Sequence, residues 1–188
     1  MSSKESLLAH IYEPLLRIFS TIKDVWMDMG DVLGHIKEKN DPITTIPSPG
    51  KRDSLRGWTK HDAILHHWRR RVDLLVVDFT SYGDTYDQQK DISKLVVALS
   101  ANLEQMIPRA NKSAKPHLRS FGMLISGYTV HFLEARLECD AIVVYRVGQC
   151  CYPKTEFSSG MLAHVIEMFV AFKRRIEATA DLLYARPQ

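Results

Sequence analysis

The sequence predicts an all-α protein, an antiparallel bundle of about five long amphipathic helices. Three observations support this fold class. Apolar residues recur every seven positions, the chain carries several segments with such a stripe, and stretches containing proline or glycine separate these segments. A seven-residue apolar repeat is typical of helices that pack against other helices. We therefore expect a single helical-bundle domain over residues 1–188, without a convincing strand.

The longest stripe lies in residues 3–39 and predicts the first helix. At 1.5 Å of rise per residue, this helix would be roughly 50 Å long. Its apolar face is wide enough to serve a partner protein or a second copy of the chain. The side chains that we expect to bind this partner are Leu7, Tyr12, Leu16, Phe19 and Trp26.

Four more helices are predicted further along the chain. The second carries its stripe over residues 65–79, and the third spans residues 85–107. The fourth spans residues 115–147, where the final AIVVYRV is rich in β-branched residues but continues the stripe. The fifth begins at Ser158 or Ser159. Five helices with mostly short connections favour an antiparallel bundle.

Composition and charge narrow the class of protein. A chain of 188 residues can bury a core without disulfides or metals. The net charge of +3 permits an anionic partner without requiring one. Three cysteines make no disulfide framework, which favours a reducing compartment. We find no apolar run of membrane-spanning length and no signal peptide, so we expect an intracellular protein, cytoplasmic or nuclear.

A histidine-rich segment is the first candidate for a chemical site. His61, Asp62, His66 and His67 lie close together in the second predicted helix. A zinc or iron site needs three or four converging ligands. Because these histidines fall mostly off the apolar stripe, a solvated helix end explains them better. We predict no metal site and no cofactor.

Two further candidates for catalysis are also weak. Cys150 and Cys151 lie beside Lys154, where a thiolate could be stabilised, but the sequence shows no base to activate either thiol. Glu134 and Glu138 form a carboxylate pair on what we interpret as a solvated helix face. We therefore predict no catalytic residue, and the sequence favours a protein that is not an enzyme.

Basic residues support an alternative function. In an up-and-down bundle, the proline- and glycine-containing loop at 40–57, predicted to be mobile, shares one end with the loop at 108–116. Such a basic pole could hold phosphate groups of nucleic acid or of an acidic membrane. Its predicted residues are Lys51, Arg52, Arg56, Lys60, Arg109, Lys112 and Lys115.

The sequence thus leaves three functions open. The leading one is a non-enzymatic scaffold or assembly protein that binds a protein partner or forms a homo-oligomer through the first helix. The first alternative is a binder of anionic ligands through the basic pole. The second alternative is a carrier or enzyme with a buried hydrophobic pocket, lined by large apolar residues such as Trp68 and Phe132.

Overall fold

A six-stranded mixed sheet forms the centre of the computed structural model, which describes residues 11–33, 60–80, 85–153 and 159–184. The strands lie side by side in the order in which they occur along the chain. Neighbouring strands are antiparallel except β3 and β4, which run parallel. The strands are β1 (Val25–Leu33), β2 (Lys60–His67), β3 (Val72–Thr80), β4 (Arg119–Ser126), β5 (Thr129–Glu138) and β6 (Ala141–Cys151).

Three α-helices occur in the described part of the chain, and two of them are long. Their bounds are α1 (Glu13–Leu16), α2 (Thr85–Met106) and α3 (Ser159–Tyr184). A 3₁₀ turn at Arg17–Thr21 continues α1. Helix α2 connects β3 to β4, because two parallel neighbours need a crossover rather than a tight turn.

The two faces of the sheet are covered by different helices. Successive residues of a strand point to opposite faces, so Asp78 and Phe79 mark the two faces of β3. Lys94 of α2 bonds to Asp78, which places α2 on the first face. Tyr12 packs edge-on against Phe79, with 5.8 Å between ring centroids, which places the N-terminal segment on the second face. Helix α3 covers that second face too, since its phenylalanines pack against those of the N-terminal segment and of β4 and β5.

The predicted all-α bundle is therefore wrong. Two of the segments predicted as helices, those around α2 and α3, are helical. The second predicted helix is instead the hairpin of β2 and β3, and most of the fourth is the meander from β4 to β6. In the described part of the first, residues 11–33, the short α1 and its 3₁₀ turn are followed by β1.

Strand β3 shows the physical reason for this error. All nine of its residues are buried, because it lies in the middle of the sheet with helices on both faces. A strand that is buried on both faces reads as a continuous apolar run. Such a run matches a seven-residue count as well as a two-residue one, so periodicity alone cannot identify it.

The functional predictions that depended on the bundle are wrong with it. A scaffold built from the long first helix needs a helix that the chain does not form, since residues 25–33 are a strand. The basic pole depended on an up-and-down helix order, which the six-stranded sheet replaces. The hydrophobic pocket was expected between the helices of a bundle that the chain does not form. The predicted loop at 40–57 lies outside the described residues.

Gly122 on β4 packs directly against a side chain of α2. A Cβ atom at this position would lie 2.7 Å from Cδ1 of Leu99, a fully buried residue of α2. We expect Gly122→Ala to lower the free energy of unfolding by about 1–3 kcal/mol, because overpacking forces the helix or the side chain to shift. Urea denaturation measures the difference.

Gly160, near the start of α3, is the matched control for this substitution. A Cβ atom there meets no atom within 4 Å. We expect Gly160→Ala to leave the stability unchanged or slightly higher, since alanine has the better helix propensity. Equal destabilisation by the two alanines would contradict the close packing of α2 on β4.

Candidate active site

The candidate site lies where β3 and β4 end, on the face of the sheet that α2 covers. In sheets with parallel strands, ligands bind beyond the carboxyl ends of those strands. Here β3 ends at Thr80 and β4 at Ser126, which are partners in the parallel register. Helix α2 begins at Thr85, so its N-terminus is close to the same strand ends along the chain.

Asp78 is the centre of the site. Its side chain is 1 % exposed and accepts hydrogen bonds from two groups on other elements. Lys94 of α2 donates from Nζ to Oδ1 over 2.7 Å, and His61 of β2 lies with Nδ1 3.0 Å from Oδ2. A carboxylate that is removed from water needs such partners, because an unpaired buried charge is very costly. Asp78 is thus held firmly between a strand and a helix.

Asp78 positions His61, but only one of the two ring nitrogens of His61 has a hydrogen-bond partner among the described residues. A carboxylate can only accept hydrogen bonds, so Nδ1 of His61 carries a proton, and in the neutral ring Nε2 is then an acceptor. Nε2 is buried and has no hydrogen-bond partner in the described part of the chain. A buried polar atom without a partner costs about 1–3 kcal/mol. Seven buried side-chain atoms lack a partner in the described residues, and Nε2 of His61 is one that belongs to a ring held by a buried carboxylate.

A second unpartnered atom lies at the end of β3. The hydroxyl Oγ1 of Thr80 is buried and has no hydrogen-bond partner among the described residues. The neighbouring Ser126 on β4 accepts a hydrogen bond from Nε2 of Gln88, in the first turn of α2, over 2.7 Å. Thr80 follows Asp78 by two residues, so both side chains point to the face of the sheet that carries α2.

Asp62 places a second carboxylate near this centre. Its Oδ2 accepts a hydrogen bond from the backbone N–H of Phe79 over 2.7 Å, so its carboxylate lies beside the residue that follows Asp78. Within the described residues, no three His, Cys, Asp or Glu side chains are arranged to hold a metal ion. Two kinds of contact hold the carboxylates of the site: the ion pair of Lys94 with Asp78, and hydrogen bonds from His61 and from the backbone N–H of Phe79.

The four-residue cluster that the sequence suggested is divided between two places on β2. His61 and Asp62 lie at the Asp78 site. His66 and His67 lie at the other end of the strand, where Nδ1 of His66 is 2.7 Å from Asp73 and its Nε2 is 3.3 Å from Asp28. Both ring nitrogens of His66 thus have partners, which is the arrangement of a structural histidine. His61 differs from it in its unpartnered Nε2.

The predicted partner-binding face is largely covered by the chain itself. Tyr12, Leu16 and Phe19 are fully buried, and the Tyr12 hydroxyl donates to the carbonyl oxygen of Gly127 over 2.8 Å. Trp26 lies on β1 and remains 41 % exposed. Leu7 lies outside the described residues.

The predicted basic pole is not brought together in the described part of the chain. Arg109, Lys112 and Lys115 lie in the connection from α2 to β4, before the amino end of β4. Lys60 begins β2, which is antiparallel to β3, and therefore lies near the opposite end of the sheet. Lys51, Arg52 and Arg56 lie outside the described residues.

The remaining candidates from the sequence are either buried or bonded to neighbouring side chains. Burial raises the pKa of the Cys150 thiol to about 11, with a further contribution from Cys151, so Cys150 is protonated at neutral pH and a poor nucleophile. Glu134 is buried and bonded to Arg175. Hydrogen bonding from Tyr145 lowers the pKa of Glu138, which keeps that carboxylate ionised.

The residues that matter most at this site were missed by the sequence patterns. Asp78, Lys94, Thr80, Gln88 and Ser126 come from three different elements, and no short motif links them. One signal was present: VDLLVVDFT places two aspartates inside a strongly apolar run. A carboxylate in such a run must be paired when the run is buried, so it identifies a polar centre in the core.

Comparison with known proteins adds no assignment. No protein-family model, curated protein or solved structure matches the chain. Among the described residues, none of the helices is both long enough and apolar enough to cross a membrane. The basis for a functional assignment is therefore the geometry of the Asp78 site.

Proposed function

We propose that this protein is a hydrolase in which His61 acts as a general base. The observation that carries the proposal is the buried imidazole of His61, whose Nδ1 is held by Asp78 while Nε2 has no partner in the described part of the chain. A histidine with one nitrogen bound to a carboxylate and the other free to accept a proton is the arrangement that general base catalysis requires.

In the proposed reaction, Nε2 of His61 removes a proton from a water molecule as the water attacks the substrate. Asp78 stabilises the imidazolium that forms and keeps the ring in the required tautomer. Lys94 uses one of its three N–H groups on Asp78 and is 28 % exposed, so its other donors are available to an oxyanion. The same proton returns to the leaving group when the products form.

The test measures the tautomer of His61 and the activity that depends on it. Nitrogen NMR of the folded protein should show His61 protonated at Nδ1 and unprotonated at Nε2. The protein is then assayed with nitrophenyl substrates of three kinds, a carboxylic ester, a phosphate monoester and a phosphate diester. We expect His61→Gln to reduce hydrolysis of the accepted substrates by about 10²–10⁴-fold, the usual contribution of a general base.

His66→Gln is the matched control for this experiment. His66 is also a buried histidine of β2 with an aspartate at Nδ1, but both of its ring nitrogens have partners. We expect its replacement to cost stability and to leave hydrolysis per folded molecule unchanged. The proposal fails if none of the three substrates is hydrolysed, or if the two glutamine variants retain equal activity.

A further inference from the structure

We infer that two copies of this chain associate through strand β6, so that their six-stranded sheets join into one continuous sheet. Strand β6 lies at the edge of the sheet and has one neighbouring strand, β5, among the described residues. Its surface is at the opposite edge of the sheet from β1. The inference therefore does not depend on the proposed hydrolase function.

The hairpin of β5 and β6 determines which backbone groups face the open edge. Glu138 and Ala141 are register partners on either side of a two-residue turn, so they form a hydrogen-bonded pair. Along an antiparallel ladder, such pairs alternate with pairs that are not hydrogen-bonded. Every second residue after Ala141 therefore directs its N–H and C=O groups away from β5, to the open edge. These residues are Ile142, Val144 and Arg146.

The regular part of this edge is short and well defined. The register of β5 and β6 shifts once, because Val147 is an extra residue between the partners of Phe132 and Leu133. This bulge ends the regular part on one side, and the turn at Cys139 and Asp140 ends it on the other. The regular edge thus covers residues 140–146, and residue 143 is its centre.

The edge at β1 is built differently. Its register with β2 shifts between Met29 and Val32, and Gly30 in this interval has a positive φ angle of 95°. Bulges at an edge hinder the addition of another strand. The regular part of β6 has partly exposed β-branched and aromatic side chains instead, which pack well on a neighbouring strand. These side chains are Ile142, Val143, Val144 and Tyr145.

Two charged side chains favour a second copy of β6 as the added strand. Asp140 and Arg146 are both exposed, and neither has an ion-pair partner in the part of the chain that the structure describes. At about 3.4 Å of rise per residue they lie roughly 20 Å apart along one strand, so they cannot bind each other. When two copies of β6 pair antiparallel around a two-fold axis at Val143, Asp140 of each copy lies opposite Arg146 of the other. Two ion pairs then form across the interface.

The same two-fold axis also matches the backbone groups of the two strands. With the axis at Val143, Ile142 of one copy lies opposite Val144 of the other. Both of these residues direct their N–H and C=O groups to the open edge, so they form hydrogen-bonded pairs on both sides of the axis. The charges, the backbone groups and the extent of the regular edge therefore point to one register.

Exposed apolar side chains lie next to this edge. Eight large apolar side chains are exposed among the described residues, and four of them belong to β6 or to the first eight residues of α3. These four are Val147, Met161, Leu162 and Ile166. Met161 lines a cavity together with the last residues of β6, which places the start of α3 at this side of the sheet. Apolar side chains grouped beside an open strand edge are typical of a surface that another protein covers.

The experiment measures the mass of the full chain by sedimentation equilibrium over a range of concentrations. We expect a reversible dimer with twice the chain mass of 21.5 kDa. Arg146→Glu places a carboxylate opposite Asp140 of the other copy and should weaken the dimer by about tenfold or more, because two ion pairs become two repulsive pairs. Arg174→Glu makes the same change of net charge at an exposed position of α3 and should leave the dimer unchanged.

Asp140→Asn tests the register of the two strands. Asparagine removes the charge and tolerates the positive φ angle of 64° at this position. In the wild type this substitution should weaken the dimer by about threefold, since it removes both ion pairs. In the Arg146→Glu variant it should strengthen the dimer, since it removes the repulsion. Such a reversal occurs only if the two side chains face each other across the interface.

Val144→Pro tests the backbone pairing. It removes an N–H group that points to the open edge and spares those that bond to β5, so it should abolish the dimer while circular dichroism shows a folded chain. If this variant does not fold, the two variants with altered side chains decide. A chain that is monomeric at every concentration overturns the inference, and so does a dimer that Arg146→Glu does not weaken. Asp140→Asn effects of the same sign in both backgrounds would contradict the register.

Discussion

Replacing Phe172 by alanine is expected to lower the free energy of unfolding by about 3–5 kcal/mol. Phe172 is 3 % exposed and lies on α3 at the centre of an aromatic cluster. Its ring centroid is 4.9 Å from that of Phe132 on β5 and 5.4 Å from that of Phe121 on β4. Phe19 of the N-terminal segment completes the cluster at 6.4 Å. Alanine would leave a cavity shared by three elements, and aromatic pairs contribute beyond their buried area.

Urea denaturation of the wild type and of Phe172→Ala measures this loss. The control is Leu162→Ala on the same helix, where the side chain is 36 % exposed and the expected change is within about 0.5 kcal/mol. Since a domain of this kind has roughly 5–15 kcal/mol of stability in total, the first variant should be close to unfolding in mild denaturant. Similar losses in the two variants would show that α3 is not docked on the sheet through Phe172.

The long helices could be predicted because only one side of each is buried. In α2, Leu95, Leu99 and Leu103 are fully buried, whereas Val97 between them is 59 % exposed. This produces a true helical period, and the third predicted helix follows it. Helix α3 has the same property, because Val165 is buried whereas the next residue, Ile166, is exposed.

The strands were missed because their burial does not follow one simple pattern. Strand β1 does alternate: Val25, Met27 and Met29 are partly buried, whereas Trp26 and Asp28 are exposed. This two-residue alternation was present in the sequence. The seven-residue apolar pattern of the preceding residues also fits this segment, however, and the segment was therefore interpreted as part of the first helix. The pattern thus runs across a change of secondary structure, since the 3₁₀ turn ends at Thr21 and β1 begins at Val25.

The turn between β5 and β6 does not carry a recognisable sequence signal for a hairpin. The hairpin from β5 to β6 turns at Cys139 and Asp140, both with positive φ angles of 46° and 64°. Two such residues fit a type I′ turn, for which Asn-Gly and Asp-Gly are the usual sequence signals. A Cys-Asp pair does not carry that signal, so the fourth predicted helix ran through the turn without a visible break.

The candidate site is out of reach of sequence patterns for a different reason. Asp78 and Lys94 are sixteen residues apart, and His61 precedes Asp78 by seventeen. They meet only because β2 pairs with β3 and α2 folds back over the sheet on its way to β4. A helical interpretation of residues 65–79 separates these side chains, so the error in the fold also hid the site.

Replacing Asp78 by asparagine is expected to reduce hydrolysis by about 10²–10⁴-fold, as much as the loss of His61. An amide can donate to Nδ1 of His61, which favours the tautomer with its proton on Nε2 and removes the acceptor that the reaction uses. Lys94 also loses the carboxylate that holds it. Steady-state assays with the accepted nitrophenyl substrate measure kcat and KM separately, and the loss should be in kcat.

Asp73→Asn is the matched control, and the comparison decides between a catalytic and a purely structural role for Asp78. Asp73 is equally buried at 1 % exposure, lies on the same strand, and bonds to Nδ1 of His66 over 2.7 Å. Both substitutions remove a buried carboxylate beside a histidine, so both should destabilise the fold. Only Asp78→Asn should reduce hydrolysis per folded molecule by that factor and shift the proton of His61 in nitrogen NMR. If the two variants lose stability and activity in parallel, the Asp78 cluster is a structural ion pair like that of Asp73.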